Sequence, residues 1–374
     1  MESMRVLITN HMLASRTGTE LYTQELALAL LEQGHTPIVY STQLGALAQE
    51  LRNRTIPVVD DLELVSVKPD IIHGQQGLAT MTALLRFPST PALYFFHNNL
   101  SWEDVPPQFP RIMRYVPVDD TCRDRLVFEY GIPESRVRVL HNSVDLSQFK
   151  LRAPLPTKPA RALAFSNYKG RYLAALREAC DRAGLALDIV GLHAGNLCEQ
   201  PETLLGAYDI IFAKGRCALE ALATGASVIL CGQHGIGPLV TVKNLDWLRA
   251  VNFGHRALQK PLETGTVLSE LANYDPMDAA AVSARIRATA GRGQMVAAIL
   301  DLYEEAIEEY RGAAKPDAEE EGRASASYLR WLAIQFKREE DLTMSSTTIR
   351  LRNRLLRVPV LRTLALSVTR RAFR

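Results

Sequence analysis

The residues best suited to chemistry lie between two short apolar runs, in the segment 209–232. Its first run ends in a polar turn, Lys214, Gly215 and Arg216, and a helix-forming stretch follows. A glycine between two cations at the start of a helix suits a phosphate, because backbone N–H groups and the positive end of the helix dipole point there. Glu220 follows about one turn later, within reach of a sugar hydroxyl of the same ligand. The segment predicts a site for a nucleoside diphosphate.

Each of these features also has a purely structural explanation. Many strand-to-helix turns carry glycine and a surface cation without any ligand, and Glu220 could face solvent. Its neighbours in the helix are small or apolar, however (Ala218, Leu219, Ala221 and Leu222). Burying an unpaired carboxylate among such residues is costly, which favours a functional role for Glu220.

A second group of polar residues follows predicted strands in the first half of the chain. His97 and Asn98 come directly after the apolar run 92–96, and Gly18 and Thr19 open the first predicted helix. Ligands of open parallel sheets bind beyond the carboxyl ends of the strands, so His97 and Asn98 are candidates for substrate contact. A structural role for His97 is the alternative. Gly18 and Thr19 either bind an anion or cap the helix.

Composition limits the class of protein. The chain has 374 residues, 47% of them hydrophobic and 22% charged, with a net charge of +2, so it can bury substantial cores and shows no overall nucleic-acid bias. The five cysteines lack metal-site spacing and resemble reduced thiols. There is no signal-peptide pattern at the start and no apolar run of about 18 residues, so we expect a cytoplasmic protein without a transmembrane helix.

The order of predicted elements is that of two α/β domains with parallel sheets facing a cleft. We assign 1–150 to the first domain, the proline-rich 151–160 to a linker and 161–312 to the second domain. The first unit lacks G-x-G-x-x-G, which argues against a dehydrogenase-type dinucleotide site. Finer expectations are a strand at 136–140, a mobile glycine-rich loop at 232–238 and one long helix at 277–311.

The last segment, 313–374, is predicted to be a linker followed by a basic helical tail. Residues 313–327 are polar and acidic, which is typical of a weakly ordered linker, and 328–336 form an apolar-rich helix. Residues 349–374 contain eight arginines and no acid; without these eight the net charge of the chain falls from +2 to −6. This tail suits an anionic membrane surface. A solvated tail, or one bound to the protein's own acidic surface, is the alternative; the scarcity of aromatic residues argues against nucleic acid.

Taken together, these segments resemble glycosyltransferases of the GT-B fold, in particular family 4. The resemblance is carried by GTELYTQELALALLEQGH, PDIIHG and the match of Asn142, Val144, Asp145 and Phe149 to the family pattern Asn-Gly-Val-Asp-x3-Phe. FAKGRCALEALATGASVIL resembles the family's Glu-x7-Glu segment, with Glu220 at the second glutamate.

The resemblance implies a role for each candidate residue. Glu220 is expected to contact the donor ribose, Gly215 to lie by the diphosphate, His97 near the transferred sugar, and Gly18 in the loop that faces the phosphate and the acceptor. Two departures matter. The first glutamate is replaced by Phe212, and the usual basic pair becomes SNYKGR. Lys169 is therefore expected to stabilise the leaving group, with Lys214, Arg216 or Arg171 as its partner.

The implied reaction is transfer of a sugar from a nucleotide sugar to a lipid-linked or polysaccharide acceptor. Positive charge beside the departing diphosphate lowers the barrier of such a transfer. The chain has no Asp-x-Asp triplet, so no metal or other cofactor is expected, and the resemblance implies retention of configuration. The tail would place the enzyme at the inner face of a membrane. The alternatives are a sugar-nucleotide epimerase of the same fold and a degenerate protein that binds a nucleotide sugar without turnover.

Overall fold

The structure, a computed structural model, describes residues 2–14, 16, 18–97, 102–165, 172–191, 198, 200–314 and 316–345. The chain divides into two compact units. The first comprises Met1–Pro106 and Arg111–Ala314, and the second comprises Pro107–Pro110 and Lys315–Arg374.

Six strands of the described part form the first sheet, and all of them run parallel. Their order across the sheet is β5-β3-β1-β6-β7-β8. The strands are β1 (Arg5–Thr9), β3 (Thr36–Tyr40), β5 (Val58–Val59), β6 (Ile71–Gln75), β7 (Ala92–Phe96) and β8 (Ile112–Pro117), and a small pair of strands, β2 (Met12–Leu13) and β4 (Gln43–Leu44), lies outside the sheet. The strands are apolar and buried because helices cover a parallel sheet on both faces. The order reverses at β1, so the sheet has a switch point between β1 and β6.

The helices that follow these strands are α1 (Gly18–Glu32), α2 (Ala46–Asn53), α3 (Gly77–Arg86) and α4 (Asp120–Phe128). α1 buries Leu26, Ala27 and Leu30 in the same core as Val6 and Ile8 of β1. This packing places the first turn of α1 at the carboxyl end of β1. The strand predicted at 136–140 is wrong in extent: Glu134–Arg136 form a 3₁₀ turn, and beyond it a single bridge joins Val137 to Tyr115 of β8.

The second sheet has the order β10-β9-β11-β12-β13 in the described residues. Its strands are β9 (Arg161–Phe165), β10 (Ala186–Val190), β11 (Ile210–Ala213), β12 (Ser227–Gly232) and β13 (Gly235–Leu239), and its helices are α5 (Tyr172–Ala183), α6 (Pro201–Leu204), α7 (Gly215–Thr224), α8 (Leu245–Ala250), α9 (Thr264–Leu271) and α10 (Pro276–Thr289). The segment β11-α7-β12 is the predicted strand–turn–helix–strand unit, and β11 and β12 pair in parallel.

The expected mobile loop at 232–238 is wrong, because most of it forms β13. This strand pairs antiparallel with β12 through Cys231–Ile236 and Gly232–Gly235. Its glycines allow a neighbouring segment to approach closely: a Cβ on Gly237 would lie 2.6 Å from the carbonyl oxygen of Ala257. Glycine here serves backbone contact rather than mobility.

The single helix expected at 277–311 is two helices, α10 and α11 (Arg292–Gly312). The break occurs because the carbonyl of Ala290 accepts the N–H of Val144 and the N–H of Arg292 donates to the carbonyl of Val144. Unlike α10, α11 packs against the first sheet, and it buries Ile299 and Tyr303 in the core of that sheet. The predicted second domain ran to residue 312, yet this helix packs with the first core.

In the second unit, the linker expected at 313–327 is wrong for its larger part, since α12 runs Ala318–Ser345. Asp317 accepts the N–H of Glu320 at the start of α12, and Glu319 pairs with Arg323 one turn on. Acidic residues stabilise the first turn of a helix, so acidity here favours helix over disorder. No helix in the described part of the chain is long and apolar enough to span a membrane. The tail 349–374 lies outside the described residues.

Candidate functional site

Polar side chains from several elements converge at the switch point of the first sheet. β1 and β6 diverge there, and a cavity of about 440 Å³ opens beyond their carboxyl ends. The cavity is lined by residues from the ends of several elements: His11, Met12, Gly18, Thr19, Glu20, Tyr22, Glu25, Gln76, His97, Glu103, Asp104, Asn142, Ser143, Arg216 and Met295. A concave site with converging polar groups at this point of a parallel sheet is where such folds bind ligands.

Hydrogen bonds at the end of β1 fix the walls of the cavity. The amide of Asn10 donates to the hydroxyl of Thr23 at 2.9 Å and to the carbonyl of Thr19 at 3.1 Å, which holds the first turn of α1 against the strand. The amide of Gln75 donates to the same Thr23 hydroxyl at 2.9 Å. β1, β6 and α1 are therefore tied together below the cavity, which keeps Gly18 and Thr19 at its rim.

Gln76, at the start of α3, adopts a left-handed backbone conformation with φ of +58°. Non-glycine residues avoid this region unless the surroundings impose it, and such strain is concentrated at functional sites. The conformation turns the Gln76 side chain back so that its carbonyl oxygen accepts the backbone N–H of His11.

α7, which follows β11 of the second sheet, brings the guanidinium of Arg216 to the cavity. Arg216, in the first turn of α7, donates to Glu220 at 2.7 Å and also to Glu25 of α1. Glu25 is thus a first-domain carboxylate that holds a second-domain cation. Arg216 and Glu25 line the cavity, while Glu220 is 5% exposed and lies behind Arg216.

The two carboxylates beside Arg216 keep its guanidinium protonated. Burial lowers the pKa of Arg216, but the carboxylates of Glu25 and Glu220 outweigh it and raise the pKa above its usual range. Burial raises the pKa of Glu220 in spite of its ion pair, and the nearby Glu25 adds to the effect. A guanidinium clamped between two acids is positive at all physiological pH values, but a phosphate must compete with Glu25 to reach it.

His97 reaches the cavity from the end of β7. Its ring meets the ring of Tyr22 edge-on, with centroids 4.4 Å apart. Its buried Nε2 and the Tyr22 hydroxyl have no hydrogen-bond partner among the residues the structure describes. Burial lowers the pKa of His97 to about 4. The imidazole is therefore neutral at physiological pH, and it is suited to hydrogen-bonding a hydroxyl rather than to giving up a proton as an acid.

The structure brings together four of the ten residues predicted for the site. Gly18, Thr19, His97 and Arg216 all line the cavity. Lys214, Gly215 and Glu220 are close in sequence to Arg216 but are absent from the lining among the described residues. Asn98, Lys169 and Arg171 lie outside the described residues.

The turn before α7 differs from the phosphate cradle expected for it. The N–H of Gly215, which was to face a phosphate, donates instead to the carbonyl of Phe253 at 2.9 Å. Gly215 has a φ of +58°, so the glycine serves the turn itself. The ammonium of Lys214 lies 3.4 Å from Nε2 of His255. Of the three turn residues Lys214, Gly215 and Arg216, it is Arg216 that lines the cavity.

Several residues of the site were missed from the sequence. Glu25, Glu103, Asp104 and Tyr22 line the cavity, and Glu20 does so as a buried side chain. The first four carry no local signal, since each occupies an ordinary position in a helix or turn. His11 follows an apolar strand, the same signal that identified His97, and it could have been found that way.

The family motif around Asn142 has a structural role as well as a place at the cavity. Asn142 and Ser143 line it, while Asp145 is buried and pairs with Arg292 of α11 at 3.0 Å. Phe212, which replaces the first glutamate of the family pattern, is buried in the core of the second sheet and brings no polar group to the site. Within the described residues, no group of three or more His, Cys, Asp or Glu side chains is placed to hold a metal ion.

Comparison with known proteins agrees with this architecture. Residues 16–148 match the sequence model of Glycosyltransferase Family 4. No curated protein sequence matches the chain at a significant level.

Solved structures share this fold over most of the chain. A glycosyltransferase from Rickettsia africae ESF-5 superposes with a TM-score of 0.61 at 16% identity, covering 82% of this chain and 99% of that one. Anabaena Alr3699/HepE in complex with UDP and glucose superposes with a TM-score of 0.56 at 14% identity, covering 81% of this chain and 100% of that one. A protein assigned as a UDP-N-acetylglucosamine 2-epimerase from Listeria monocytogenes superposes with a TM-score of 0.52 at 12% identity, covering 85% of this chain and 99% of that one. The chain has the GT-B fold of these structures, and its residues 16–148 are similar in sequence to Glycosyltransferase Family 4.

Proposed function

We propose that this protein transfers a sugar from a nucleotide-sugar donor to an acceptor, with the reacting groups in the cavity beyond β1 and β6. The observation that carries the proposal is that the cavity is built from both sheets: the first supplies His97 and the α1 carboxylates, and the second supplies Arg216. A two-domain cleft of this kind excludes water from an activated sugar, and it holds donor and acceptor in one place.

The charges of the cavity suggest the orientation of the donor. The lining contributed by the first domain includes the carboxylates of Glu20, Glu25, Glu103 and Asp104. Carboxylates accept hydrogen bonds from sugar hydroxyls and repel phosphate. The sugar would therefore lie against the first domain and His97, and the diphosphate would lie toward Arg216 and the second domain.

Departure of the nucleoside diphosphate needs positive charge beside its phosphates. Arg216 supplies one such charge, although its guanidinium is already paired with Glu25 and Glu220. Lys169 and Arg171 remain the predicted partners, and we keep Lys214 as a third candidate on the same side. Supplied in this way, the charge requires no metal ion, and we propose a metal-independent reaction. We also propose retention of configuration, on the resemblance to family 4.

The donor and acceptor are proposed at the level of class. Because HepE was crystallised with UDP and glucose, UDP-sugars are the first donors to test. The acceptor is proposed to be lipid-linked or a polysaccharide at the cytoplasmic face of the cell envelope, which rests on the basic composition of 349–374.

An epimerase is the second candidate, favoured by the similar fold of the Listeria protein. Incubation with UDP-, GDP- and ADP-sugars separates the two, with product analysis by chromatography. We expect slow release of free nucleotide from one donor without acceptor, and faster release with acceptor. Isomerised sugar nucleotide would support the epimerase. Binding without either product would support a protein that has lost turnover.

A further inference from the structure

A second cavity, of about 290 Å³, lies where the two domains join. It is lined by the segment that leaves the first domain, by α8 and by the junction of α10 with α11: Val139, Leu140, His141, Ser143, Arg249, Thr289, Ala290, Gly291, Gln294 and Met295. It shares Ser143 and Met295 with the cavity described above, and the Ser143 hydroxyl contacts the Met295 sulfur at 3.2 Å. These two side chains form a wall between the cavities.

Arg249 is the main charged group of this second cavity. One guanidinium nitrogen, Nη2, donates to the carbonyl of Asn142, whereas Nη1 is buried and has no hydrogen-bond partner among the described residues. Arg249 forms no ion pair with any carboxylate in the described part of the chain. Burial lowers the pKa of Arg249 to about 10. Arg249 is half-buried, and a buried guanidinium nitrogen without a partner is costly unless an acceptor such as an anion completes it.

Two further features of the cavity favour an anion. The Nε2 of His141 is buried without a partner among the described residues, and its pKa is lowered, first by burial and next by the charge of Arg249. His141 is therefore neutral, and it can present an N–H to an oxyanion. α11 begins at Arg292, and Gly291 before it has no side chain to cap the helix. The positive end of this 21-residue helix lies at the cavity.

We propose that this cavity is an oxyanion site, distinct from the donor site, which takes a phosphate group between Arg249 of the second domain and His141 of the first. Bidentate contact with the guanidinium is the geometry that arginine offers to phosphate. Since the ligand would touch both domains at their junction, its binding would favour the arrangement of the domains described here.

The test is calorimetric titration of inorganic phosphate into the full chain at constant ionic strength, with chloride as the control anion. We expect binding to the wild-type protein and at least about tenfold weaker binding to Arg249→Gln, the usual effect of losing a charged hydrogen-bond donor. Arg285→Gln is the matched control, because Arg285 is an exposed arginine already paired with Asp246; it should bind phosphate like the wild type.

A second variant guards against misfolding of Arg249→Gln. Gln294→Glu places a carboxylate on an exposed lining residue, where it can pair with Arg249 and occupy the site from within. We expect it to lose phosphate binding while its thermal unfolding midpoint stays at or above that of the wild type. Undiminished phosphate binding by both variants, or none by the wild type, would overturn the proposal.

Competition with UDP distinguishes the two possible sources of the phosphate. If the site is separate, UDP and phosphate bind the wild-type protein at the same time, and saturating phosphate does not compete UDP away. Displacement of phosphate by UDP in the wild type, abolished in Arg249→Gln, would instead make this cavity part of the donor site and would contradict the proposal. Phosphate binding is measured without turnover, so it stands or falls separately from the transferase assignment.

Discussion

Arg216 of the second domain is held by Glu25 of the first, across a sequence separation of 191 residues. The same guanidinium also pairs with Glu220, so it is satisfied before any ligand arrives. In the proposed function, a donor diphosphate would have to displace Glu25 to use this charge. Glu25 would therefore compete with the phosphates of a nucleotide for the Arg216 guanidinium.

Removing the charge of Glu25 should release Arg216 for the donor. We expect Glu25→Gln to bind UDP several-fold more tightly and Arg216→Gln to bind it about tenfold more weakly, the usual range for one charge-assisted hydrogen bond. Calorimetry measures both. Glu50→Gln is the control, since Glu50 pairs with Arg16 and does not line the cavity. Weaker UDP binding by Glu25→Gln would mean that Glu25 assists the donor rather than competing with it.

Glu220 is predicted to support donor binding from behind Arg216. Glu220→Ala should weaken UDP binding and leave the fold intact, because it removes one of the two carboxylates that hold the guanidinium in place. Far-ultraviolet circular dichroism checks the fold, and calorimetry gives the affinity. An unchanged affinity would remove Glu220 from the donor site.

The low pKa of His97 makes stability depend on pH. Its value in the folded protein is about 4, against an ordinary value of 6.5, so the unfolded chain takes up a proton at this site as the pH falls from 6.5 to 4 while the folded chain does not. Stability is therefore lost across that window. His97→Gln should lose less stability than the wild type between pH 7.5 and pH 5, measured as the shift in thermal unfolding midpoint. An equal loss in both proteins would show that His97 is solvated and titrates normally.

Asp145 is predicted to hold α11 to the exit of the first domain. It accepts hydrogen bonds from Ser147 and pairs with Arg292, and although burial acts against them, these contacts lower its pKa. Asp145→Asn should cost about 1–3 kcal/mol of the free energy of unfolding, measured by urea denaturation near neutral pH. Asp246→Asn, at an exposed pair with Arg285, should cost less than about 0.5 kcal/mol. Equal costs would mean that the Asp145 contacts add nothing beyond a surface pair.

The basic tail is predicted to bind anionic membranes. Deletion of 349–374 should abolish sedimentation of the protein with vesicles containing phosphatidylserine, because it removes eight arginines. High salt should weaken binding of the full chain in the same assay, since the attraction is electrostatic. Sedimentation that is equal with and without the tail would exclude it as the anchor.

Local sequence patterns predicted the cavity residues that directly follow strands. The other cavity residues depend on contacts between segments far apart in the sequence. His97 and Arg216 were predicted because each follows a buried strand, and the carboxyl ends of parallel strands meet at one edge; both line the cavity. Glu25 could not be identified, since its role depends on α7 docking beside α1. The same limit applies to α11, whose apolar face is compatible with either core but is buried in the first.

Two local predictions failed for a different reason. At 232–238, glycine was interpreted as mobility, although a close backbone neighbour requires it at Gly237. At 313–327, acidity was interpreted as disorder, although Asp317 and Glu319 stabilise the start of α12. In both cases the residue type was compatible with two structures, and a tertiary or capping contact decided between them.

The most direct test of the donor site is a crystal structure of the protein with the UDP-sugar that it hydrolyses. We predict the sugar beside His97 and the diphosphate within hydrogen-bonding distance of Arg216, with Glu25 displaced from that guanidinium. A nucleotide bound elsewhere, with the cavity beyond β1 and β6 filled by packed side chains, would contradict the account.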